Sequence, residues 1–347
     1  MPRLANVSIN ENAELDPSQV EDMRGQGGGG GGGGFNFPPM GGGGGGGMGG
    51  AGAGCLGALL PSLMRSKIGM VVLLVGALCV GILLCTGGGS GIFSGLGGVN
   101  QPATQQQPGD SGSTGDLATK CSKDNPDRFN DAACRNLLYI NSIQNYWQSA
   151  MPQYFGQPYQ KATTRYFTGS VNTACGPATS GVGPFYCPGD NHVYIDLAFY
   201  NELASRFGAK GQFAQAYVLA HEYGHHIQTL TGTEAQVRRA QQRDPANANR
   251  YSVAMELQAD CYAGVWANAA SKTTDATGAP LFKSVTQQDI DQALEAAAAV
   301  GDDAIQQKAG AQINQDAFTH GSSQQRQQWF NQGYTTGDPR QCNTFGG

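Results

Sequence analysis

Phe213-Ala214-Gln215-Ala216-Tyr217-Val218-Leu219-Ala220-His221-Glu222-Tyr223-Gly224-His225 sets an H-E-x-x-H sequence at the end of a run of good helix formers. Ile227 and Leu230 continue the apolar face of that run, and Gly232 follows as a stop signal. On a helix, residues four apart share a face, so the imidazoles of His221 and His225 can reach one metal ion. Glu222 lies one residue along, near enough to take a proton from a water activated by that metal. The chain has five histidines, and three of them fall within His221–His226, a concentration that ordinary polar helix positions do not explain. His226 faces about 100° away from His225 and reads as a packing or supporting residue. Gly224 costs the helix about 1 kcal/mol against alanine, which points to another backbone passing close to it.

A catalytic zinc site takes three protein ligands and keeps one position open. The third ligand has a candidate source in Met255–Ala267, a second helical stretch in which Leu257, Cys261 and Val265 form an apolar stripe. Glu256 and Asp260 interrupt that stripe four residues apart and face the same way. One carboxylate can bind the metal while the other accepts the spare ring N–H of a ligating histidine. Cys261 is a rival ligand, though it is also a disulfide candidate. The order of the two motifs is similar to the gluzincin pattern, H-E-x-x-H followed by E-x-x-x-D. That pattern implies Glu256 as ligand and Asp260 as brace.

Around these motifs the chain resembles the neutral zinc metallopeptidase family of bacterial membrane proteins. The resemblance runs from about Cys121 to Phe345 and is carried by Cys175-Gly176-Pro177-Ala178, Gly183–Pro188, Tyr194–Leu197, His221–Gln228, Glu256–Gly264 and Thr319–Ser323. It implies a zinc peptidase more firmly than any substrate. A narrower likeness joins Thr319-His320 and Arg326 to the T-H-P-x-x-x-x-R segment of membrane gluzincins that process prenylated or misfolded membrane proteins. In those proteins the histidine and arginine point at the substrate carbonyl, and proline stands where this chain has Gly321. The chemistry needs such donors, because water attack on a peptide carbonyl generates an oxyanion. His320 and Arg326 are therefore candidates for stabilising it. The bland alternative is a capping histidine and a surface ion pair.

Asn191–Asp196 alternates polar and apolar residues and reads as a strand. In zincins an edge strand above the metal helix pairs with extended substrate, so His192, Val193, Tyr194 and Ile195 are candidates for that role. His192 is not needed as a ligand.

Ile68–Cys85 carries no charged residue and approaches the length that spans a bilayer. Arg65 and Lys67 precede it, and no Lys or Arg follows before Lys120. The positive-inside rule then predicts a single-pass inner-membrane anchor, with the N-terminus cytoplasmic and the catalytic domain periplasmic. The run starts too late for a cleaved signal peptide, and leucine before Cys79 and Cys85 argues against a lipoprotein site. Six cysteines follow it: Cys121, Cys134, Cys175, Cys187, Cys261 and Cys342. An even number in an exported domain predicts three disulfides. Six cysteines admit many pairings, and nearness favours Cys121–Cys134 and Cys175–Cys187, leaving Cys261–Cys342.

Residues 1–67 hold long glycine runs and read as a disordered cytoplasmic segment, because such composition buries too little apolar surface to offset chain entropy. The island Phe35–Met40 reads as linker, and residues 86–117 read as a flexible tether. From residue 118 to 347 aromatics, cysteines and apolar periodicity appear, in a length that suits one domain. The expected fold is α+β and zincin-like. It is mostly helical, with a small antiparallel sheet from strands at 162–168 and 193–196. Helices are expected at 136–150, 234–243, 250–270, 287–300 and 323–332 besides the metal helix. A formal net charge of −5 argues against nonspecific nucleic-acid binding.

These features point to a membrane-anchored zinc endopeptidase acting on a peptide or protein, with one Zn²⁺ and Glu222 as general base. The rivals are a zinc-stabilised scaffold of the cell envelope and a zinc amidase cutting peptidoglycan peptides.

Overall fold

The computed structural model describes residues 7–25 and 114–346. Its helices are α1 (Thr114–Lys120), α2 (Ala132–Phe155), α3 (Phe199–Ser205), α4 (Gln212–Leu230), α5 (Thr233–Arg243), α6 (Ala248–Ala269), α7 (Gln287–Ala299), α8 (Asp302–Lys308) and α9 (Ser323–Thr336). Local chemistry sets their limits. Asp131 caps α2, which ends where Gly156 enters the left-handed region at φ 66°. Thr286 with Asp289 and Ser322 with Gln325 form capping boxes on α7 and α9. Among the described residues, no helix is long and apolar enough to cross a membrane; the run Ile68–Cys85 lies outside them.

Three glycines let the helices cross closely. A Cβ on Gly224 of α4 would stand 2.9 Å from both Cα and the carbonyl oxygen of Ala259 in α6. The glycine inside the H-E-x-x-H helix is therefore the point where the two site-bearing helices touch. Gly264 of α6 and Gly333 of α9 likewise meet each other's helix backbones. Trp147, Trp266, Tyr217, Phe213 and Phe330 fill the core between α2, α4, α6 and α9.

The strands are β1 (Ser8–Ile9), β2 (Val20–Asp22), β3 (Thr163–Phe167), β4 (Ser170–Thr173), β5 (Gly176–Thr179), β6 (Phe185–Cys187), β7 (His192–Asp196) and β8 (Phe282–Ser284). The main sheet has the order β2-β3-β7-β6. It is mixed rather than antiparallel as expected: β2, β3 and β7 run parallel, and only β6 is antiparallel to its neighbour. The difference comes from β2, which the sequence reading did not assign, and from the long connection between β3 and β7.

A second correction concerns residues 7–25, expected to belong to a disordered segment. They are folded. β2 pairs with β3, β1 pairs antiparallel with β8, and Val7, Ile9, Ala13 and Val20 enter the main core. Composition averaged over the neighbouring glycine runs hid these apolar positions; Ile9 pairs with Phe282 and Val20 with Thr164, both more than a hundred residues away. Among the described residues the cysteines are joined as Cys121–Cys134 and Cys175–Cys187, the pairs favoured by nearness, and Cys261–Cys342, the pair left over.

Candidate metal centre

α4 presents His221 and His225 one turn apart, with ring centroids 4.8 Å from each other. α6 crosses at Gly224 and brings Glu256 beside both rings. Glu256 Oε2 lies 3.1 Å from His221 Nε2, and Oε1 lies 3.5 Å from His225 Nε2. One ligand atom from each of the three residues falls within 4.8 Å of the others. Zinc holds nitrogen and oxygen donors at about 2.0–2.2 Å, so donors around a tetrahedral ion stand about 3.3–3.6 Å apart. The two imidazoles and the carboxylate fit such an ion in chemistry and spacing.

The far side of each imidazole is engaged. His221 Nδ1 is 2.8 Å from Asp260 Oδ1, and His225 Nδ1 is 2.8 Å from Gln228 Oε1. Both acceptors favour Nδ1–H, which leaves each Nε2 lone pair free to bind a cation. Gln228 is fixed in turn: its Nε2 donates to the Met255 carbonyl at 2.7 Å and to Gln258 Oε1 at 3.1 Å. Gln258 donates to the Cys342 carbonyl at 2.9 Å. The Cys261–Cys342 disulfide thus ties to α6 the tail residue whose carbonyl ends this chain of hydrogen bonds. Sequence reasoning missed Gln228 and Gln258. The signal for Gln228 was its position three residues after His225, on the same helix face.

Asp260 is fully buried and heavily partnered. Besides His221 it accepts from Tyr217 Oη at 2.5 Å, from Arg326 Nε at 2.7 Å and from Arg326 Nη2 at 3.0 Å. Burial raises its pKa, but the Arg326 and His221 charges outweigh that and hold the carboxyl below its ordinary value. Burial likewise opposes the charge on Glu256, and the surrounding histidines reverse it to a net lowering.

Arg326 does not face the open side of the cluster. It is 4% exposed, and its guanidinium lies against Asp260 with a further bond to the Val300 carbonyl. The proposed oxyanion role for Arg326 is therefore corrected: its donors are already engaged behind His221. Gly321 explains the departure from the membrane gluzincins. Its φ of 90° is closed to proline, so the proline of that pattern could not stand here without a change of backbone.

His320 stands apart from Arg326. Asp302 Oδ2 accepts the backbone N–H groups of Thr319, His320 and Gly321 at 2.7, 2.6 and 3.0 Å, and Oδ1 lies 3.1 Å from His320 Nδ1. This pins the loop and the ring together, with Nε2 left over. Burial opposes protonation of His320, but the Asp302 hydrogen bond and the Glu256 charge outweigh it and hold the imidazole above its ordinary pKa. Asp302 was not singled out from sequence, since no motif spacing connects it to His320.

Glu222 is buried on α4, next to His221 in the chain. Burial raises its pKa against the lowering effect of the two imidazoles. His226 sits behind, with Nε2 2.6 Å from the Gln160 carbonyl and Nδ1 3.1 Å from Tyr186 Oη. It anchors β6 to the metal helix, and burial pushes its pKa down to about 4.

The substrate-strand assignment also changes. β7 lies between β3 and β6, so both of its edges are already paired, and Val193, Tyr194 and Ile195 are fully buried. His192 lies at the start of β7 beside Asp190. The free edge next to the metal helix belongs to β6, at Phe185-Tyr186-Cys187.

Two imidazoles and a carboxylate converging beside a buried glutamate form the kind of centre found in metal-dependent peptidases. The chain belongs to the family described as "Putative neutral zinc metallopeptidase", whose model matches residues 12–345. The match bears out the resemblance and extends it to the folded N-terminal segment. The chain is 42% identical to "Uncharacterized protein YpfJ" of Escherichia coli K12 over 250 residues, covering 72% of this chain and 79% of that protein. It is 48% identical over 214 residues to "Uncharacterized protein Rv2575" of Mycobacterium tuberculosis, covering 61% of this chain and 70% of the relative. "Uncharacterized protein Mb2605" of Mycobacterium bovis matches to the same extent. No solved structure matches. Family membership supports a zinc peptidase in general, with peptide or protein substrates.

Proposed function

We propose that the protein is a zinc-dependent endopeptidase in which His221, His225 and Glu256 hold one zinc ion. The observation that carries this reading is the convergence of the two Nε2 atoms on the Glu256 carboxylate, each ring held from behind through Nδ1, with buried Glu222 next to His221 on the same helix. When bound, the zinc would supply Lewis acidity toward water and the scissile carbonyl. Glu222 takes the proton from the attacking water and hands it to the departing amine. The β6 edge pairs with an extended substrate by strand addition. His320, braced by Asp302, is the candidate donor to the oxyanion, while Asp260 and Arg326 fix the position of His221. The three disulfides favour an oxidising compartment outside the cytoplasm. Ile68–Cys85 is the feature that would hold the enzyme at a membrane.

The test is cleavage of casein and a peptide panel by the full chain, alongside zinc content. Wild type should carry one zinc per chain and cleave. Glu222→Gln should keep the zinc and lose at least ~100-fold in kcat, as expected when a general base is removed. Equal activity in both proteins would refute the role of Glu222. Zinc without cleavage of any substrate would favour the scaffold reading.

A further inference from the structure

The folded N-terminal segment constrains how the chain can meet a membrane. β2 is hydrogen-bonded to β3 in the register Val20↔Thr164, Glu21↔Arg165 and Asp22↔Tyr166. Neighbouring strands lie about 4.8 Å apart, far less than the thickness of a bilayer. The attachment extends beyond that one strand. Asp16 N–H donates to Asn141 Oδ1 at 2.7 Å, and Asn141 Nδ2 donates back to the Asp16 carbonyl at 3.1 Å. Gln144 reaches Gln19 at 2.9 Å, and Asn10 reaches the Pro280 carbonyl at 2.6 Å. Three regions of the catalytic domain therefore hold residues 10–22.

Arg128 makes the dependence mutual. Its guanidinium is 2% exposed and donates to the carbonyls of Glu11, Ala13 and Cys121 at 2.9, 2.6 and 2.8 Å. Two of these three acceptors belong to the N-terminal segment. Without that segment a buried cation loses most of its hydrogen-bond partners, and Tyr166 loses the Arg24 guanidinium that lies 5.4 Å from its ring centre. Removing residues 7–25 would thus uncover a charge and an unpaired edge of β3 as well as apolar surface. α1, where the described chain resumes, packs against β2, so the two described elements that flank residues 26–113 lie in one neighbourhood.

We infer that residues 7–25 are an integral strand segment of the catalytic domain and lie on its side of any membrane the chain is attached to. A single crossing between residues 25 and 114 would separate strands that are hydrogen-bonded to each other. The expectation of a cytoplasmic N-terminus with the catalytic domain outside is incompatible with this sheet. The inference is independent of the metal reading, because none of the residues it uses lies in the His221 cluster.

Two measurements on the full chain test it. In the first, epitope tags before residue 1 and after residue 347 are exposed to external protease in spheroplasts and again after lysis. Both tags should be cut together, either from outside or only after lysis. Cutting of one tag while the other stays protected would overturn the inference. In the second, hydrogen exchange is followed by mass spectrometry on the purified protein. Peptides covering Val20–Met23 should exchange at least 100-fold more slowly than an unprotected chain, and Val20→Asp should abolish that protection. Exchange of wild-type Val20–Met23 at the free-chain rate would overturn it equally, whatever Val20→Asp does to folding.

Discussion

Arg326→Met separates the two roles this arginine could have. The substitution removes the bonds of 2.7 and 3.0 Å to Asp260 and leaves that carboxylate fully buried. Breaking a buried ion pair from one side costs about 3–5 kcal/mol, because the remaining charge is uncompensated. Asp260 keeps Tyr217 Oη and His221 Nδ1 as donors, which argues for the lower end, about 3 kcal/mol. For a domain of this size, 1 kcal/mol shifts Tm by about 2–4 °C, so the expected fall is about 6–12 °C. Thermal unfolding followed by circular dichroism reads it directly. Asp260→Asn combined with Arg326→Met should recover part of the loss, since a neutral amide needs no cation beside it. An oxyanion donor behaves differently: its removal lowers kcat by about 100- to 1000-fold and leaves unfolding nearly unchanged. A melting temperature within about 2 °C of wild type, with kcat reduced 100-fold, would therefore refute the placement of Arg326 as a brace.

Gln228→Ala removes the acceptor from His225 Nδ1 and frees the ring to turn. Zinc affinity, measured by competition with a chelator, should fall about 10- to 100-fold, and an unchanged affinity would disconnect Gln228 from the site. Gly224→Ala would push a methyl group against the Ala259 backbone, where the helices have no room to separate without moving Glu256. A loss of about 1–3 kcal/mol in denaturant unfolding is expected, and wild-type stability would show that the crossing is looser than described. His320→Ala should lower kcat with little change in melting, and Asp302→Asn should do the same more weakly; a large fall in Tm for His320→Ala would mark it as structural instead. Acid should loosen the N-terminal segment. Asp16 and Asp275 are pulled up by burial but held below the ordinary carboxyl value of 3.8 by their hydrogen bonds, those to Asp275 including the Glu14 N–H. Their contribution is fully present above that unfolded value and is lost as pH falls through the lower folded values. Protection factors in residues 10–19, taken relative to the free chain at each pH, that do not fall as pH drops below the ordinary carboxyl value would contradict it.

Much of the site was legible because helical periodicity is a local property. His221, Glu222 and His225 declare their shared face through spacing alone, and Glu256 with Asp260 do the same on a second helix. Nearness in sequence was enough to favour two of the disulfides, and the third followed from the remainder. Gly224 also announced itself, since an expensive residue inside a helix implies a neighbour that needs the space. The donors facing these residues were harder to see. Arg326 lies one turn into α9, a position equally compatible with pointing toward substrate or toward Asp260. Only the packing of α9 on α6 through Gly264 and Gly333 turns it inward. Asp302 reaches His320 across a loop whose closure no spacing rule describes.

The strands divide in the same way. Alternation correctly marked His192–Asp196 as extended, but alternation is silent about which strands flank it. β6 and β3 occupy both edges of β7, so the free edge fell to a segment of three residues too short to show a period. The N-terminal segment makes the contrast sharpest. Glycine-rich composition around Val7–Gly25 predicted disorder, because composition measures only what a segment can bury within itself. The catalytic domain supplies the missing surface through Arg128, Asn141, Gln144 and the edge of β3. By itself the sequence determined the two metal-facing helices and their chemistry, since those rest on interactions within a few turns. The tertiary structure alone decided which edge stays open, which way Arg326 points and where the N-terminal segment belongs, since each rests on contacts between residues far apart in the chain.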